Sequence, residues 1–224
     1  MNKHLLSLVL ATSCAAVFVA PQIAQAQPQK LYLRGNIGGN WAQSADLKEF
    51  FGPVAPGTKV KFDPGISLDV AAGYEFTDWF AGEMQTGVMA NRIASITGAS
   101  VHDAWFSNVP LLFNVRLQCP QPWRLVPYIG GGVGINASVI HTGHITLNGT
   151  TAFGDQSDVV FACQAFGGLR YKLNNHMSVG AEYRYYLTGD PRWEADDVFG
   201  TASTTMRMSG AEIHSVSLTF NYNF

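Results

Sequence analysis

The stretch EIHSVS, residues 212 to 217, contains the residue types of an acyl-transfer site. Such a site needs a base within hydrogen-bond reach of the nucleophile that it activates. In an extended strand, however, side chains an odd number of positions apart point to opposite faces. His214 therefore diverges from both Ser215 and Ser217, and the stretch predicts that the chain is not an enzyme.

Two other groups of residues suggest ligand chemistry and fail on spacing. The run VPYIGGGVGI, residues 126 to 135, looks like a phosphate cradle, but a dinucleotide fingerprint needs glycine where the chain has Ile135. No Gly-Lys-Ser/Thr follows it either. His141 and His144 diverge in an extended segment and have no further ligands nearby. We therefore predict no cofactor and no metal.

The first 26 residues have the layout of a signal peptide. Lys3 precedes an apolar core, and Ala24-Gln25-Ala26 is the small-x-small pattern that signal peptidase accepts. We predict a cleaved signal peptide at 1–26 and one exported domain at 27–224. The formal net charge of −2 gives no electrostatic footprint for nucleic acid. Beyond the signal peptide no run of 18 apolar residues exists, so no transmembrane helix is expected.

Residues alternate between apolar and polar in eight segments, the last of which is SVSLTFNYNF at 215–224. Alternation of period two predicts strands. The connections after the second, fourth and sixth segments are short, and the other connections are long. This layout predicts an all-β fold, an eight-stranded antiparallel up-and-down transmembrane β-barrel. Closure is required because an open sheet edge in lipid leaves backbone groups unpaired.

Charge lies on the face of the strands opposite to the aliphatic and aromatic residues. In a soluble barrel charge points outward, but the signal peptide and the aromatics near strand ends favour the inverted arrangement. We therefore expect a lumen charge network of nine residues: Arg34, Asp69, Glu75, Glu83, Arg116, Arg170, Lys172, Glu182 and Arg184. Mutually neutralised ion pairs are the favoured interpretation, because an unpaired buried charge is costly, and an ion path is the alternative.

The glycine run falls on the inward face of the fifth predicted strand. An eight-stranded barrel has little more room than its own side chains need. Gly130, Gly132 and Gly134 are therefore expected to make space for large inward groups from other strands. Arg116, Arg170 and Tyr186 are the groups that we expect there.

The segments VPLLFNVRL, VPYIGGGVGI, SVGAEYRYYL and SLTFNYNF, behind a signal peptide, resemble a known family. They are similar to bacterial outer-membrane β-barrel proteins of the OmpA-like transmembrane type, including small porin-family and surface-antigen relatives. The alternating C-terminal aromatics Phe220, Tyr222 and Phe224 resemble the signal that such proteins present to their assembly machinery.

The resemblance implies an integral protein of the cell outer membrane, with a structural or surface-interaction role through four long extracellular loops. The alternatives are a narrow porin-like channel and, less favoured, an enzyme that modifies lipid A. The implied partners are outer-membrane lipids, the barrel assembly machinery and an extracellular partner that the sequence does not identify. We expect a monomer that does not bind nucleic acid.

Overall fold

The computed structural model describes residues 30–119, 124–147, 150–194 and 205–224. Every regular element in these ranges is a strand. The strands are β1 Leu31–Ala42, β2 Ala45–Phe50, β3 Lys59–Phe62, β4 Gly65–Glu75, β5 Phe80–Ile96, β6 Ser100–Gln118, β7 Leu125–Leu147, β8 Thr150–Lys172, β9 Met177–Thr188, β10 Arg192–Glu194, β11 Thr205–Met208 and β12 Glu212–Asn223.

Eight of the strands close into a barrel, in the order β1-β4-β5-β6-β7-β8-β9-β12. All neighbours are antiparallel, and β12 returns to β1 in a register that runs from Tyr32↔Asn223 to Ala42↔Ile213. Each barrel strand thus has a partner on both sides. This confirms the predicted eight-stranded antiparallel up-and-down barrel.

Three short connections lie at one end of the barrel, which we call the turn end. They join β4 to β5, β6 to β7 and β8 to β9. Phe224 and Leu31 meet at the same end, where the Phe224 N–H donates to the Leu31 carbonyl at 3.0 Å. Asn174 shapes the third turn, because its Oδ1 accepts hydrogen bonds from the backbone N–H groups of His176 and Met177 at 2.8 and 2.7 Å. The opposite end is the loop end.

The loop end differs from the prediction of four long loops. Strands β5 to β8 have 17, 19, 23 and 23 residues, so two of the expected loops are extended hairpins, one formed by β5 and β6 and the other by β7 and β8. The other two connections carry β2 and β3, and β10 and β11, which pair in the order β10-β11-β2-β3 and join β5. Their Gly, Ser and Thr content is typical of loops, but these four short segments pair as strands.

Two kinds of interior follow one another along the barrel axis. Toward the turn end the inward side chains are polar and charged, and the outer wall is apolar, with Leu218 70% and Ile37 63% exposed. Toward the loop end a hydrophobic cluster joins inward side chains of barrel strands to those of the short strands. We call it the loop-end core; its larger members are Leu47, Phe50, Val60, Met89, Ile93, Ile96, Phe106, Leu112, Ile140, Ile145, Tyr186, Trp193, Met206, Met208 and Ile213.

Candidate functional site

The structure gathers eight of the nine expected charged residues inside the barrel. Seven are at most 4% exposed: Arg34, Asp69, Glu83, Arg116, Arg170, Glu182 and Arg184. Glu75 lies half-buried at the turn end, where it faces two of the arginines. We keep the name lumen network for these eight residues, which carry four negative and four positive charges.

The expectation for Lys172 was wrong. Its side chain is exposed, and it makes no ion pair with a described residue. Strand alternation does assign Lys172 to the inward face, but it is the last residue of β8. The inward face therefore opens to water at that point, and the Lys172 side chain is exposed.

Arg34 joins the two acidic residues at the centre of the lumen network. Its guanidinium donates to Glu83 Oε2 at 2.5 Å and to Glu182 Oε2. These residues lie on β1, β5 and β9, so one side chain connects strands from different sides of the barrel. Glu83 and Glu182 are at most 2% exposed. A carboxylate buried to this extent needs a paired cation to remain charged.

The network extends from this centre toward the turn end. Arg116 contacts Glu83 Oε1 at 3.0 Å and Glu75 Oε1 at 3.4 Å. Arg170 lies 3.9 Å from the same Glu75 oxygen and donates to Gln118 Oε1 at 2.7 Å. The outermost acid thus faces two cations at the point where water reaches the lumen.

On the other side of Arg34, Arg184 connects two acids. It contacts Asp69 Oδ2 and Glu182 Oε1, both at 2.8 Å. Asp69 also accepts hydrogen bonds from Asn36 at 2.7 Å and from Gln85 at 2.9 Å. Both oxygens of this buried carboxylate therefore have donors.

Neutral amides form a layer that the sequence analysis did not assign to a site. Asn114 Nδ2 donates to Gln85 Oε1 at 2.6 Å, and Gln164 Nε2 donates to Gln85 Oε1 and Asn114 Oδ1 at 2.7 and 2.8 Å. All three residues lie on the inward face by strand alternation, which is the signal that could have identified them. They connect β5, β6 and β8 beside the charged residues.

Aromatic rings complete the surroundings of the arginines. Tyr32 donates to Glu83 at 2.7 Å, and Tyr128 donates to Glu182 at 3.1 Å. The Arg116 guanidinium lies 4.5 Å from the centre of the Tyr32 ring, and Arg34 lies 5.3 Å from that of Phe166. Such contacts stabilise a buried cation in addition to its carboxylate partners.

The groups closest to the three lumen glycines come from the neighbouring strands. A Cβ at Gly132 would lie 1.8 Å from Asn114 Oδ1, and one at Gly130 would lie 2.4 Å from the ring of Phe166. At Gly134 it would meet the backbone carbonyl of Leu111 at 2.1 Å. That the glycines also make room for Arg116, Arg170 or Tyr186 remains a prediction. Glycine is required because neighbouring strands and their short side chains lie this close.

The chemistry available to the lumen network is that of ion pairs and hydrogen bonds. Every charged group faces an opposite charge, and within the described ranges no set of three His, Cys, Asp or Glu residues is arranged for a metal. His141 lies in β7, where it pairs with Asp155 on the outer surface. His214 is half-buried and bonds Tyr183 at 2.6 Å, whereas Ser215 is 1% exposed on the other face.

The loop-end core lies directly beyond the polar part of the lumen. Trp193 of β10 is 2% exposed, donates from its ring nitrogen to the Ser138 carbonyl at 3.0 Å and meets Phe106 edge to face at 6.3 Å. A residue of a connecting segment thus packs against inward residues of β6 and β7. Sequence alternation could not identify it, because β10 has only three residues.

The C-terminal aromatics lie on the outer wall of β12. Phe220 and Tyr222 are 43% and 39% exposed, and Phe224 meets the Tyr222 ring edge to face at 5.3 Å. With Tyr74, Phe76 and Trp79 they form an aromatic group around the turn end. Their use as an assembly signal remains a prediction.

Comparison with known proteins identifies the architecture. The family model described as the outer membrane protein beta-barrel domain matches residues 9–224. The chain belongs to this family. The match begins inside the predicted signal peptide, and residues 1–29 lie outside the described ranges, so the boundary after Ala26 remains a prediction. No curated protein matches the chain.

Solved structures of bacterial outer-membrane barrels share the fold. OprG, an outer membrane protein from Pseudomonas aeruginosa, is 15% identical, with a TM-score of 0.57 over 88% of this chain and 97% of its own. Neisserial surface protein A is 14% identical, with a TM-score of 0.54 over 87% and 97%. Outer membrane protein AlkL, solved in lipid bilayers, is 17% identical, with a TM-score of 0.51 over 89% and 93%.

These comparisons assign the barrel to the bacterial outer membrane. In such barrels the short turns are periplasmic and the longer connections extracellular, so we expect the turn end to face the periplasm and the loop end the exterior. Among the described residues, no helix is long and apolar enough to cross a membrane.

Proposed function

We propose that the chain is an integral outer-membrane protein with a structural and surface-interaction role, whose barrel does not conduct. The observation that carries this proposal is the filling of the lumen. Arg34, Glu83 and Glu182 pair across its width at no more than 2% exposure.

The loop-end core supports the same proposal from the other side. An ion that enters from the exterior meets Trp193, Phe106 and Ile140, all at most 2% exposed. Apolar side chains offer no replacement for the hydration shell of an ion. A conducting path would therefore require both interiors to open.

Planar-bilayer recording of purified, refolded protein tests the closed lumen. We expect no stable conductance steps. A narrow channel is the alternative, and steps that disappear in the double variant Glu83→Gln/Arg116→Gln would overturn our proposal. Val133→Leu, a size change at a lipid-facing position that is 54% exposed, is the matched control and should change nothing.

The loop-end sheet of β2, β3, β10 and β11 is the surface that we propose for an extracellular partner. Its apolar side packs in the loop-end core, and its other side exposes Lys48 and Arg207, both paired with Asp190 at 2.5 and 3.5 Å. A sheet held in this way presents a fixed surface rather than a loose loop.

Binding of a panel of extracellular proteins to cells that express the chain tests the surface role. We expect Lys48→Ala/Arg207→Ala to reduce binding, and Lys30→Ala/Lys172→Ala, the same charge change at the turn end, to leave it unchanged. Equal binding by all three proteins would remove the loop-end sheet as the interaction surface and leave a structural role alone.

A further inference from the structure

The cations of the exported chain separate into groups with different surroundings. The lumen holds Arg34, Arg116, Arg170 and Arg184; the loop-end surface pairs Lys48, Arg192 and Arg207 with acids; the turn end carries Lys30, Arg124 and Lys172; and Lys59, Lys61 and Arg92 remain. The last three are exposed on β3 and β5 and form no ion pair with any described residue.

Strand alternation places these three side chains on the outer wall. Val60 and Ile93 are 1% and 4% exposed and belong to the loop-end core. Lys61 follows Val60 directly, and Arg92 directly precedes Ile93. Both side chains therefore point away from the loop-end core, and both are exposed. They therefore continue the face that, farther down β5, carries Met84 and Val88 toward lipid.

The register fixes the level of Arg92 relative to the membrane. Arg92 lies four residues beyond Val88 on the same strand and face, about 10 Å higher on a strand tilted as in such barrels. Arg92 pairs across the sheet with Trp105, which is 41% exposed. Trp on the outer wall marks the membrane interface. Arg92 is thus the first outward charge above the apolar part of β5.

Among the described residues, no carboxylate at this level forms an ion pair with Lys61 or Arg92, although Asp63 and Asp103 are both exposed nearby. Lys61 lies opposite Ser95, whereas Lys59 has an acidic cross-strand neighbour, Asp46. Asp63 is exposed, and its backbone N–H donates to the Arg92 carbonyl at 2.9 Å, but its carboxylate pairs with neither Lys61 nor Arg92. Two cations and an interfacial Trp, just above acyl chains, are complementary to a phosphate that carries such chains.

We propose that Lys61 and Arg92 bind the phosphate of a lipid headgroup in the outer leaflet, with Trp105 beside its acyl chains. Arg offers several donors in a planar fork to phosphate oxygens, and Lys adds a mobile point charge. The proposal rests on the membrane level of the outer wall and not on a closed lumen, so the two can fail separately.

Titration of the folded protein in detergent micelles with diphosphoryl lipid A, read by native mass spectrometry, tests the site. Each cation near an anionic lipid surface contributes about five-fold to binding, so we expect Lys61→Gln/Arg92→Gln to bind about 25-fold more weakly. Arg124→Gln/Lys172→Gln, the same charge change at the turn end, is the matched control and should stay within about two-fold of the wild type.

Two further measurements test whether binding depends on the positive charge of the site and whether the ligand is a lipid or free phosphate. Asp63→Asn removes the carboxylate of the residue whose backbone bonds to Arg92, and this variant should bind the lipid more tightly. Inorganic phosphate at millimolar concentration should not displace the lipid, because it lacks acyl chains to hold it at the wall. Heat-modifiable gel mobility verifies folding, and the single variant Lys61→Gln carries the same test if the double variant does not fold. Unchanged binding, an equal loss in the control, or displacement by free phosphate would each overturn the proposal.

Discussion

The turn-end half and the loop-end half of the same barrel follow opposite rules. Toward the turn end, β5 points Glu83 and Gln85 inward and Met84 toward lipid. Toward the loop end the same strand points Ile93 inward and Arg92 outward. Both halves of β5 are paired and alternate between the two faces. The two halves differ in the medium outside the outer wall, which is acyl chains in the first half and water in the second.

The comparison shows that the solvent outside decides what the interior must be. Where lipid covers the wall, polar groups are excluded from it and collect in the lumen, paired with one another. Where water covers the wall, apolar groups collect inside, as in a soluble barrel. The change occurs between Val88, 38% exposed and outward, and Met89, 2% exposed and inward.

The largest effect that we expect comes from breaking the turn-end interior. Glu83→Gln leaves Arg34 and Arg116 without a central negative charge, and loss of one partner of a buried pair costs about 3–5 kcal/mol. Urea titration in lipid vesicles measures the loss. Glu75→Gln, at the half-open mouth, is the control and should cost far less; equal losses would mean that burial does not set the energy of these pairs.

A comparable loss is expected in the loop-end interior by another mechanism. Ile140→Ala removes apolar volume from a site that is 2% exposed, and such changes cost about 2–5 kcal/mol. Ile135→Ala on the lipid-facing wall of the same strand, 51% exposed, should cost much less. The same titration applies. If both variants lose equal stability, the interior near Ile140 is not a packed core.

A charge placed at two levels of the outer wall tests the reversal itself. Met84→Arg, in the middle of the apolar part of β5, should cost about 2–4 kcal/mol. Ala94→Arg, on the same face beyond Arg92, should be near neutral because water surrounds it. Folding yields in vesicles and urea midpoints measure both. A tolerated Met84→Arg would contradict the lipid-facing assignment.

Overpacking of the lumen should have a smaller effect. Gly132→Leu puts a side chain where even a Cβ would lie 1.8 Å from Asn114 Oδ1, and overpacking typically costs about 1–3 kcal/mol. Val133→Leu, the neighbour that faces lipid, should be silent. Urea midpoints and heat-modifiable mobility compare the two. A Gly132→Leu variant as stable as the wild type would show that the lumen has free space there.

The smallest effect concerns the extracellular surface and depends on pH. The hydrogen bond from Lys48, and that from the Gly210 backbone, hold the pKa of Asp190 below its usual range. The contribution is therefore present above the unfolded pKa of about 4 and is lost as pH falls through the lower folded pKa. Since the side chain is 33% exposed, we expect less than about 1 kcal/mol.

Unfolding of Asp190→Asn and the wild type as a function of pH measures this contribution. The two proteins should differ by a constant amount above about pH 5 and converge in stronger acid. A difference that grows as pH falls would have the wrong sign for a depressed pKa.

Much of the turn-end half could be predicted from the sequence. Alternation of period two assigned Arg34, Glu83 and Glu182 to the lumen, because a strand in lipid has no other place for charge. It placed Lys172 there wrongly, since alternation does not show where a barrel ends. It also could not show that Asn114 and Phe166 are the side chains that lie closest to Gly132 and Gly130.

Less of the loop-end half could be predicted, for a physical reason. Above the membrane both faces of a strand carry mixed residues, and Val88 next to Met89 interrupts the contrast on which alternation depends. The long hairpins of β7 and β8 were therefore expected as a loop. Trp193 enters the core through contacts between segments far apart in sequence, and no local pattern encodes such contacts.

The pairing of β1 with β12 has a consequence for the order of assembly. The first barrel strand finds its second partner only in the last twelve residues of that barrel, Glu212–Asn223. Until these residues arrive, Leu31–Ala42 has an unsatisfied edge, and the lipid phase tolerates none. Closure of the barrel is therefore a late event that completes membrane insertion. A chain interrupted before β12 has two open strand edges. The danger for such a chain is pairing of these edges with another strand rather than unfolding.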